Sequence, residues 1–239
     1  MVPYQRNPHI TGRDGLLTQL NEKLCETKQK RFNHRIAIYG IGGVGKTQVA
    51  IEYIYRYRVQ YDGIYWISAS DQAALLSGFQ EIGSMTGCVL TATDLDQIEV
   101  AKMVLSWLRR KQNWLVVIDN LETIEVVDGF LPETGLHQHT LITTRNPNAA
   151  GIPAEGVEVP LLEPDDAIDL LSTLSNVTIM LNSPERKHVA EIVQKLGNLP
   201  LAIEQASAYV REVTGDFVTF IKDYERNHKD LLQWVPQGN

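Results

Sequence analysis

Short apolar runs alternate with amphipathic segments over most of the chain. The helical pattern is clear where apolar residues recur at positions i, i+3, i+4 and i+7, as from Ala101 to Leu108. The runs that predict β-strands are residues 35–40, 63–68, 114–119, 139–145 and 157–162. The segments that predict helices are the stretch that Thr11 would cap and residues 47–57, 71–83 and 94–110. Strands that alternate with helices predict a parallel sheet flanked by helices.

The pattern changes at Pro164, after which only helical periodicity remains. Four helices are predicted there: one containing residues 167–174, one from Pro184 to Gly197, one from Pro200 to about Glu212, and one containing residues 217–224. We therefore predict an α/β domain over residues 1–162, which begins with an extended arm. Residues 163–239 are predicted to form a small helical-bundle subdomain.

A glycine-rich turn separates the first predicted strand from the next helix. Gly40, Gly45, Lys46 and Thr47 have the P-loop spacing, Gly-x-x-x-x-Gly-Lys-Thr. Glycines allow backbone N–H groups to turn inward around phosphate oxygens, and the start of the following helix adds its own N–H groups and dipole. Lys46 is predicted to bind the β- and γ-phosphates, and the Thr47 hydroxyl to bind Mg²⁺. The turn therefore predicts a site for a nucleoside di- or triphosphate.

Residues at the ends of two later strands bear on hydrolysis. Asp119 ends the most apolar strand and is predicted to hold Mg²⁺. Active ATPases often follow this acid with a carboxylate that serves as general base, but here Asn120 cannot accept a proton, which favours slow hydrolysis. Glu122 is either a substitute base or a solvated loop acid. Arg145 is either a γ-phosphate sensor, on a strand beside that of Asp119, or a surface arginine.

Composition narrows the classes of protein that fit. The chain has 239 residues, a net charge of −7 and no long stripe of Lys and Arg, which argues against a specific nucleic-acid partner. No apolar run reaches the length of a membrane span, so no membrane partner is expected. The two separated cysteines favour a reducing compartment, and we expect a cytoplasmic protein. His137 and His139 are only a weak candidate for a metal site, because no further ligands have suitable spacing.

Several segments together resemble one family of nucleotide switches. They are "HITGRDGLLTQL", "GIGGVGKTQVAIEY", "WLVVIDNLE", "LITTR" and "LGNLPLAIEQASAYV", in this order along the chain. The set resembles the NB-ARC domain of STAND P-loop NTPases, the module found in NOD-like receptors, and is most similar to fungal and bacterial members with C-terminal repeats. One departure is Asn198, which stands where the family has the glycine of its "GLPLA" motif.

The resemblance implies roles for particular residues. Ile10 and Arg13 of the arm would flank the adenine and ribose, Asp119 would organise Mg²⁺, and Arg145 would read the γ-phosphate. The residues that would bind the phosphates are Gly43, Val44, Gly45, Lys46, Thr47 and Gln48. Pro200 and Leu201 would pack on the adenine, and Pro200 offers a rigid apolar face for this at a helix start. Family members continue into a winged-helix subdomain and repeats, so we expect this chain to be part of a larger protein.

The resemblance implies a regulatory ATP/ADP switch, with ADP bound at rest, slow hydrolysis, and exchange that controls self-association of the full-length protein. A non-hydrolysing nucleotide-binding interaction module is the first alternative. The second is a conventional P-loop ATPase or kinase, although no kinase lid or acceptor pocket is recognisable in the sequence. A DNA-loading ATPase is a more distant alternative, which the acidic balance of charge disfavours.

Overall fold

A five-stranded parallel sheet organises the first part of the structure. The computed structural model describes residues 2–27, 34–89, 95–146, 151–177, 179 and 184–231. The strands are β1 (Arg35–Tyr39), β2 (Gly63–Ser68), β3 (Trp114–Asp119), β4 (Gln138–Thr144) and β5 (Glu155–Glu158), in the spatial order β2-β3-β4-β1-β5. Every neighbouring pair is parallel, which confirms the predicted sheet. The prediction that the Arg145 strand lies beside the Asp119 strand is also confirmed, because β4 pairs with β3.

The fifth strand differs most from its prediction. It covers Glu155–Glu158 rather than residues 157–162. The N–H of Val159 still donates to the carbonyl oxygen of Tyr39 at 2.8 Å, which extends the pairing by one residue. Pro160 has no N–H to donate, so the pairing stops there even though the apolar run continues through Leu162.

Eight α-helices accompany the sheet in the described part of the chain. They are α1 (Asp14–Leu24), α2 (Lys46–Tyr57), α3 (Gln72–Thr86), α4 (Gln97–Arg110), α5 (Pro164–Ser175), α6 (Pro184–Lys195), α7 (Pro200–Tyr209) and α8 (Phe217–Leu231). The first helix begins at Asp14, so Thr11 lies too far upstream to cap it, and that expectation was wrong. The α4 helix begins where Asp96 and Glu99 form a reciprocal capping box. Residue 94, where its prediction began, lies outside the described residues.

The inner strand β3 does not alternate between apolar and polar side chains, because both of its faces are covered. All six residues of β3 are buried. Trp114, Val116 and Ile118 share a core with α3 and α4, and the indole N–H of Trp114 donates to the carbonyl oxygen of Leu108 at 2.9 Å. On the other face α1 contacts β1 and α2 contacts β4.

A buried polar chain runs from α1 to the start of β4. The Tyr53 hydroxyl lies 3.2 Å from Asn21 Oδ1 and 2.9 Å from the Tyr61 hydroxyl, which is 2.8 Å from His139 Nδ1. The other ring nitrogen of His139 lies 3.0 Å from the carbonyl oxygen of Leu136. Because a carbonyl can only accept, His139 carries its proton on Nε2, and Nδ1 accepts from Tyr61. Both ring nitrogens are therefore engaged within the protein.

The chain divides into two compact units. The first comprises Met1–Asn7, Asp14–Ile41 and Lys46–Val159. The second comprises Pro8–Arg13, Gly42–Gly45 and Pro160–Asn239. The core of the second unit is formed by the apolar faces of α5, α6, α7 and α8, with Leu171, Val189 and Phe220 among its most buried side chains. The domain boundary placed after residue 162 stays a prediction.

Candidate nucleotide-binding site

The glycine turn has a backbone that requires glycine at two positions. Gly43 and Gly45 have φ angles of 80° and 94°, in the left-handed region that residues with a Cβ rarely adopt. At Gly43 an added Cβ would also lie 2.9 Å from Leu201 Cβ, within the second unit. The turn is thus shaped by its backbone, and its side-chain-free surface suits the close approach of an anion.

The first residues of α2 supply a cation and a hydroxyl. Lys46 Nζ donates to the carbonyl oxygens of Gly40 and Ile41, at 2.8 and 2.9 Å, so its side chain folds back along the loop. Burial lowers the pKa of Lys46, and the positive charge of Arg145 lowers it further, while Asp119 opposes the shift. Lys46 and Arg145 are thus close enough for their charges to interact, and together they provide a field that favours a polyanion.

Asp119 is held by two hydroxyl groups. The Thr47 and Thr143 hydroxyls both donate to its Oδ1 atom, at 3.0 and 2.6 Å. The Thr143 oxygen in turn accepts the backbone N–H of Asn120 at 2.8 Å. These bonds fix the carboxylate, which is largely buried at the end of β3. A hydroxyl and a carboxylate side by side are the hard oxygen donors that Mg²⁺ prefers, so the residues present fit the predicted metal.

Sequence reasoning missed Thr143. Its side chain is 1% exposed, and it links the Asp119 carboxylate to the backbone of the next residue. The available signal was a buried-strand hydroxyl two residues before Arg145, on a strand expected beside β3. The two threonines of "LITTR" look equivalent in sequence, and only the strand pairing separates their roles.

Further predicted site residues lie directly after β3 and β4. Asn120 has a left-handed φ of 61°, a conformation that asparagine tolerates better than most residues, and its chain turns away directly after Asp119. Glu122 is exposed, and so is Arg145 directly after β4. Gln48, the third residue of α2, is exposed as well.

The second unit brings the arm to the glycine turn. Arg13 is buried, and its Nη2 donates to the carbonyl oxygen of Val44 at 3.2 Å. Burial lowers the pKa of Arg13, and the nearby Asp166 carboxylate opposes that shift. Gly12 has a φ of 65°, and a Cβ there would lie 2.4 Å from an Asp166 oxygen, so the arm passes this carboxylate closely. Ile10 is half-buried.

The start of α7 also meets the glycine turn within the second unit. Pro200 occupies the first turn of the helix, and the N–H of Leu201 donates to the carbonyl oxygen of Gly43 at 3.2 Å. The Leu201 side chain is 48% exposed. Asn198, the departure from the family motif, has a φ of 51°. The residue at this position after α6 must adopt a left-handed backbone conformation, which explains the glycine of the family motif. Among residues with a side chain, asparagine adopts this conformation with little strain.

The parallel sheet, the glycine turn after β1 and the acid that ends β3 define the fold of a P-loop NTPase. The NB-ARC domain family matches residues 13–179. The chain belongs to the NB-ARC domain family, a family of nucleotide-binding P-loop NTPases within the STAND group. This confirms the resemblance found in the sequence.

Individual relatives agree with this assignment. A nucleotide-binding leucine-rich repeat (NLR)-like protein of Hyaloscypha variabilis is 28% identical and matches 94% of this chain and 24% of its own length. The regulatory protein AfsR of Streptomyces griseus is 26% identical, over 84% of this chain and 21% of its own length. A solved STAND protein with a tetratricopeptide repeat sensor, from Pyrococcus horikoshii, has a TM-score of 0.57 at 16% identity, over 94% of this chain and 34% of that one. The chain thus spans a quarter or less of the two curated relatives.

None of the helices in the described ranges combines the length and the apolar character needed to cross a membrane.

Proposed function

We propose that this chain is the nucleotide-binding core of an ATP/ADP switch in a signalling protein. The observation that carries the proposal is the Thr47–Asp119 pair, a hydroxyl and a carboxylate 3.0 Å apart at the start of the P-loop helix. Magnesium at these oxygens would neutralise part of the phosphate charge. We assign nucleotide binding to residues 1–162 and the helical subdomain to residues 163–239.

Each part of the nucleotide has residues suited to it. The phosphates are assigned to Gly43, Val44, Gly45, Lys46, Thr47 and Gln48. The two hydrogen bonds of Lys46 to loop carbonyls are available for exchange, because an ammonium gains more from phosphate oxygens than from neutral carbonyls. Ile10 and Arg13 are assigned to the adenine and ribose, together with Pro200 and Leu201. Arg145, exposed and charged near Lys46, is assigned to the γ-phosphate.

Slow hydrolysis follows from the residue after Asp119. An amide cannot take a proton from the attacking water, so Asn120 cannot act as general base. The only other acid assigned to this loop by sequence reasoning, Glu122, is exposed, and exposure favours its solvated role. A site that binds triphosphate and hydrolyses it slowly suits a timer, in which the bound nucleotide records the state of the protein.

A switch also needs nucleotide-dependent structure, since a ligand shifts an equilibrium only through different affinities for the two states. The hydrogen bond from Leu201 to Gly43 supplies a route for this difference. Because the first turn of α7 is bonded to the glycine turn itself, a phosphate-induced change in the turn reaches the helical bundle directly. In this proposal ADP stabilises the resting state, and exchange for ATP licenses self-association of the full-length cytoplasmic protein.

The first experiment is to denature the purified protein and quantify released nucleotide by chromatography. Near-stoichiometric ADP is expected and would support the resting switch. Bound ATP would instead favour the second candidate, a non-hydrolysing interaction module, which the lack of a base at Asn120 also suits. Calorimetry with Lys46→Ala should show a loss of nucleotide binding, whereas Lys102→Ala, which removes a lysine on the exposed side of α4, should not. Equal affinities of Lys46→Ala and the unmodified protein would refute the P-loop assignment.

A further inference from the structure

Four charged side chains form a cluster between the arm and α2. Arg6 donates to both carboxylate oxygens of Glu52, from Nε at 2.9 Å and from Nη2 at 2.8 Å. Arg56 donates from Nε to the same carboxylate at 2.6 Å and from Nη1 to Asp14 at 2.5 Å. We call Arg6, Glu52, Arg56 and Asp14 the arm clamp. It links chain positions up to 46 residues apart.

The centre of the arm clamp is a buried carboxylate. The Glu52 side chain is 2% exposed, within a run of six buried residues of α2 from Val49 to Ile54. A buried carboxylate must be paired, and here two guanidinium groups meet that need. The hydrogen bond from Arg6 is the main cause that lowers the pKa of Glu52, and the bond from Arg56 adds to it. Glu52 therefore stays ionised at neutral pH and holds both arginines.

The arm clamp holds the chain on both sides of the segment Pro8–Arg13. Arg6 lies just before the segment Pro8–Arg13, and Asp14 lies directly after it. Both are bonded to one turn of α2, through Glu52 and Arg56. Two further contacts seat the arm upstream of Arg6: the Tyr55 hydroxyl donates to the carbonyl oxygen of Tyr4, and the Tyr4 ring meets Trp66 edge to face. The N-terminal end of Pro8–Arg13 is thus fixed by side chains, and its C-terminal end is fixed both by the Asp14 ion pair and by the start of α1.

We propose that the arm clamp is a positioning device, which fixes the two ends of Pro8–Arg13 so that this segment is ordered for the adenosine part of the nucleotide before the nucleotide binds. The inference rests on the proposed function, because it uses the assignment of Ile10 and Arg13 to the adenine and ribose. Glu52 and Arg6 are positioning residues, since neither is assigned a contact with nucleotide. A segment that is already ordered loses little conformational entropy when the nucleotide binds. The affinity for the nucleotide is therefore higher than it would be for a disordered segment.

Opening the arm clamp should therefore change the affinities for ATP and for tripolyphosphate by different amounts. Tripolyphosphate engages only the glycine turn, Lys46 and the metal-binding oxygens, whereas ATP also engages the arm. If opening the clamp leaves about one molecule in ten with an ordered segment, the affinity for ATP falls about tenfold, because apparent affinity scales with the competent fraction. The affinity for tripolyphosphate should fall much less, because the segment supports the glycine turn through the hydrogen bond from Arg13 to the carbonyl oxygen of Val44 and is not assigned a contact with the phosphates.

The test uses the 239-residue chain with Arg6→Gln, Glu52→Gln and the double variant. Arg58→Gln is the matched control, because it removes an exposed arginine at the end of α2 that is outside the clamp. Hydrogen exchange of the backbone amides in residues 9–13 is measured without nucleotide, and calorimetry gives the affinities for ATP and tripolyphosphate. Faster exchange and a selective loss for ATP are expected in both single variants. The double variant should be no worse than Glu52→Gln, and Arg6→Lys should keep part of the affinity.

Each contrary outcome has a distinct meaning. Unchanged exchange in residues 9–13 would refute the clamp itself. Equal losses for ATP and tripolyphosphate would show damage to the whole site and overturn the positioning role. If the unmodified protein bound neither ligand, the proposed function would fail and the nucleotide part of this inference with it, while the exchange data would still decide whether the clamp orders the segment.

Discussion

Replacement of Thr143 by valine tests how the metal-binding carboxylate is held. The two side chains have the same shape, so the change removes the hydroxyl and leaves the packing of β4 intact. Two hydrogen bonds are lost, the 2.6 Å bond donated to Asp119 and the 2.8 Å bond accepted from the N–H of Asn120. The residue is 1% exposed, so water cannot replace the lost hydroxyl at the same place.

The magnitude follows from these two bonds. A hydrogen bond to a charged group contributes about 1.5–3 kcal/mol, and a donor left without a partner costs about 1–3 kcal/mol. Because Asp119 keeps Thr47 as a donor and Asn120 is only half-buried, we expect the lower part of the sum, a loss of about 2.5–4 kcal/mol in the free energy of unfolding. A less fixed carboxylate should also weaken the advantage that Mg²⁺ gives to ATP binding, by about tenfold or ~1.4 kcal/mol.

Thr144→Val provides the matched control. Thr144 is equally buried, but successive side chains of a strand point to opposite faces, and its hydroxyl accepts the N–H of Asn146 at 3.0 Å. Urea denaturation gives the stability of both variants, and calorimetry with and without EDTA gives the ratio of ATP affinities. We expect the ratio to fall for Thr143→Val alone. If both variants reduced it equally, or neither did, the reasoning that Thr143 positions the metal-binding carboxylate would be refuted.

Three further predictions concern other parts of the chain. Arg145→Ala should weaken a non-hydrolysable ATP analogue more than ADP in calorimetry, and equal losses would remove the sensor role. Burial lowers the pKa of His139 from 6.5 to about 4, so its contribution to stability is complete above about pH 6.5 and is lost as the pH falls to about 4. Urea denaturation should show this loss, up to about 3 kcal/mol, and a His139→Leu variant should lack that part of the pH dependence. Asn198→Gly should raise the free energy of unfolding by about 1 kcal/mol, because it relieves a left-handed residue whose buried side-chain oxygen has no hydrogen-bond partner among the described residues. Asn198→Ala should lower the free energy of unfolding by a similar amount.

The sheet could be predicted from the sequence because burial on both faces leaves a strong signal. The run from Trp114 to Asp119 is continuously apolar until its last residue, and the strand found there has those bounds. The P-loop was equally clear, since its glycines, lysine and threonine act through local spacing. The C-terminal end of β5 was not clear from the sequence, because an apolar run does not show at which residue the backbone hydrogen bonds to the neighbouring strand stop. Pro160 carried that information and was read as part of the strand.

Residues that act through distant partners were out of reach of the sequence. Glu52 sits inside an amphipathic helix, where a single acid usually faces solvent, and nothing local shows that it is buried between two arginines. Thr143 was missed for a related reason, since its partner Asp119 lies on the neighbouring strand. Both residues hold other groups in place without being assigned a contact with nucleotide themselves. Local motifs therefore report the groups proposed to touch the ligand, while the groups that position them become visible only when strand pairing and helix packing are known.

The two positioning residues also bear on how a switch could be built from this fold. Thr143 fixes Asp119 through bonds inside the sheet, so the metal-binding oxygens are set by the most buried part of the molecule. Glu52 instead holds Arg6, whose side chain is 54% exposed and whose chain has no regular secondary structure. Exposed ion pairs are easily broken, and the segments that open most readily have few buried contacts. If the nucleotide site is remodelled during exchange, we therefore expect the arm to release before the oxygens around Asp119 move.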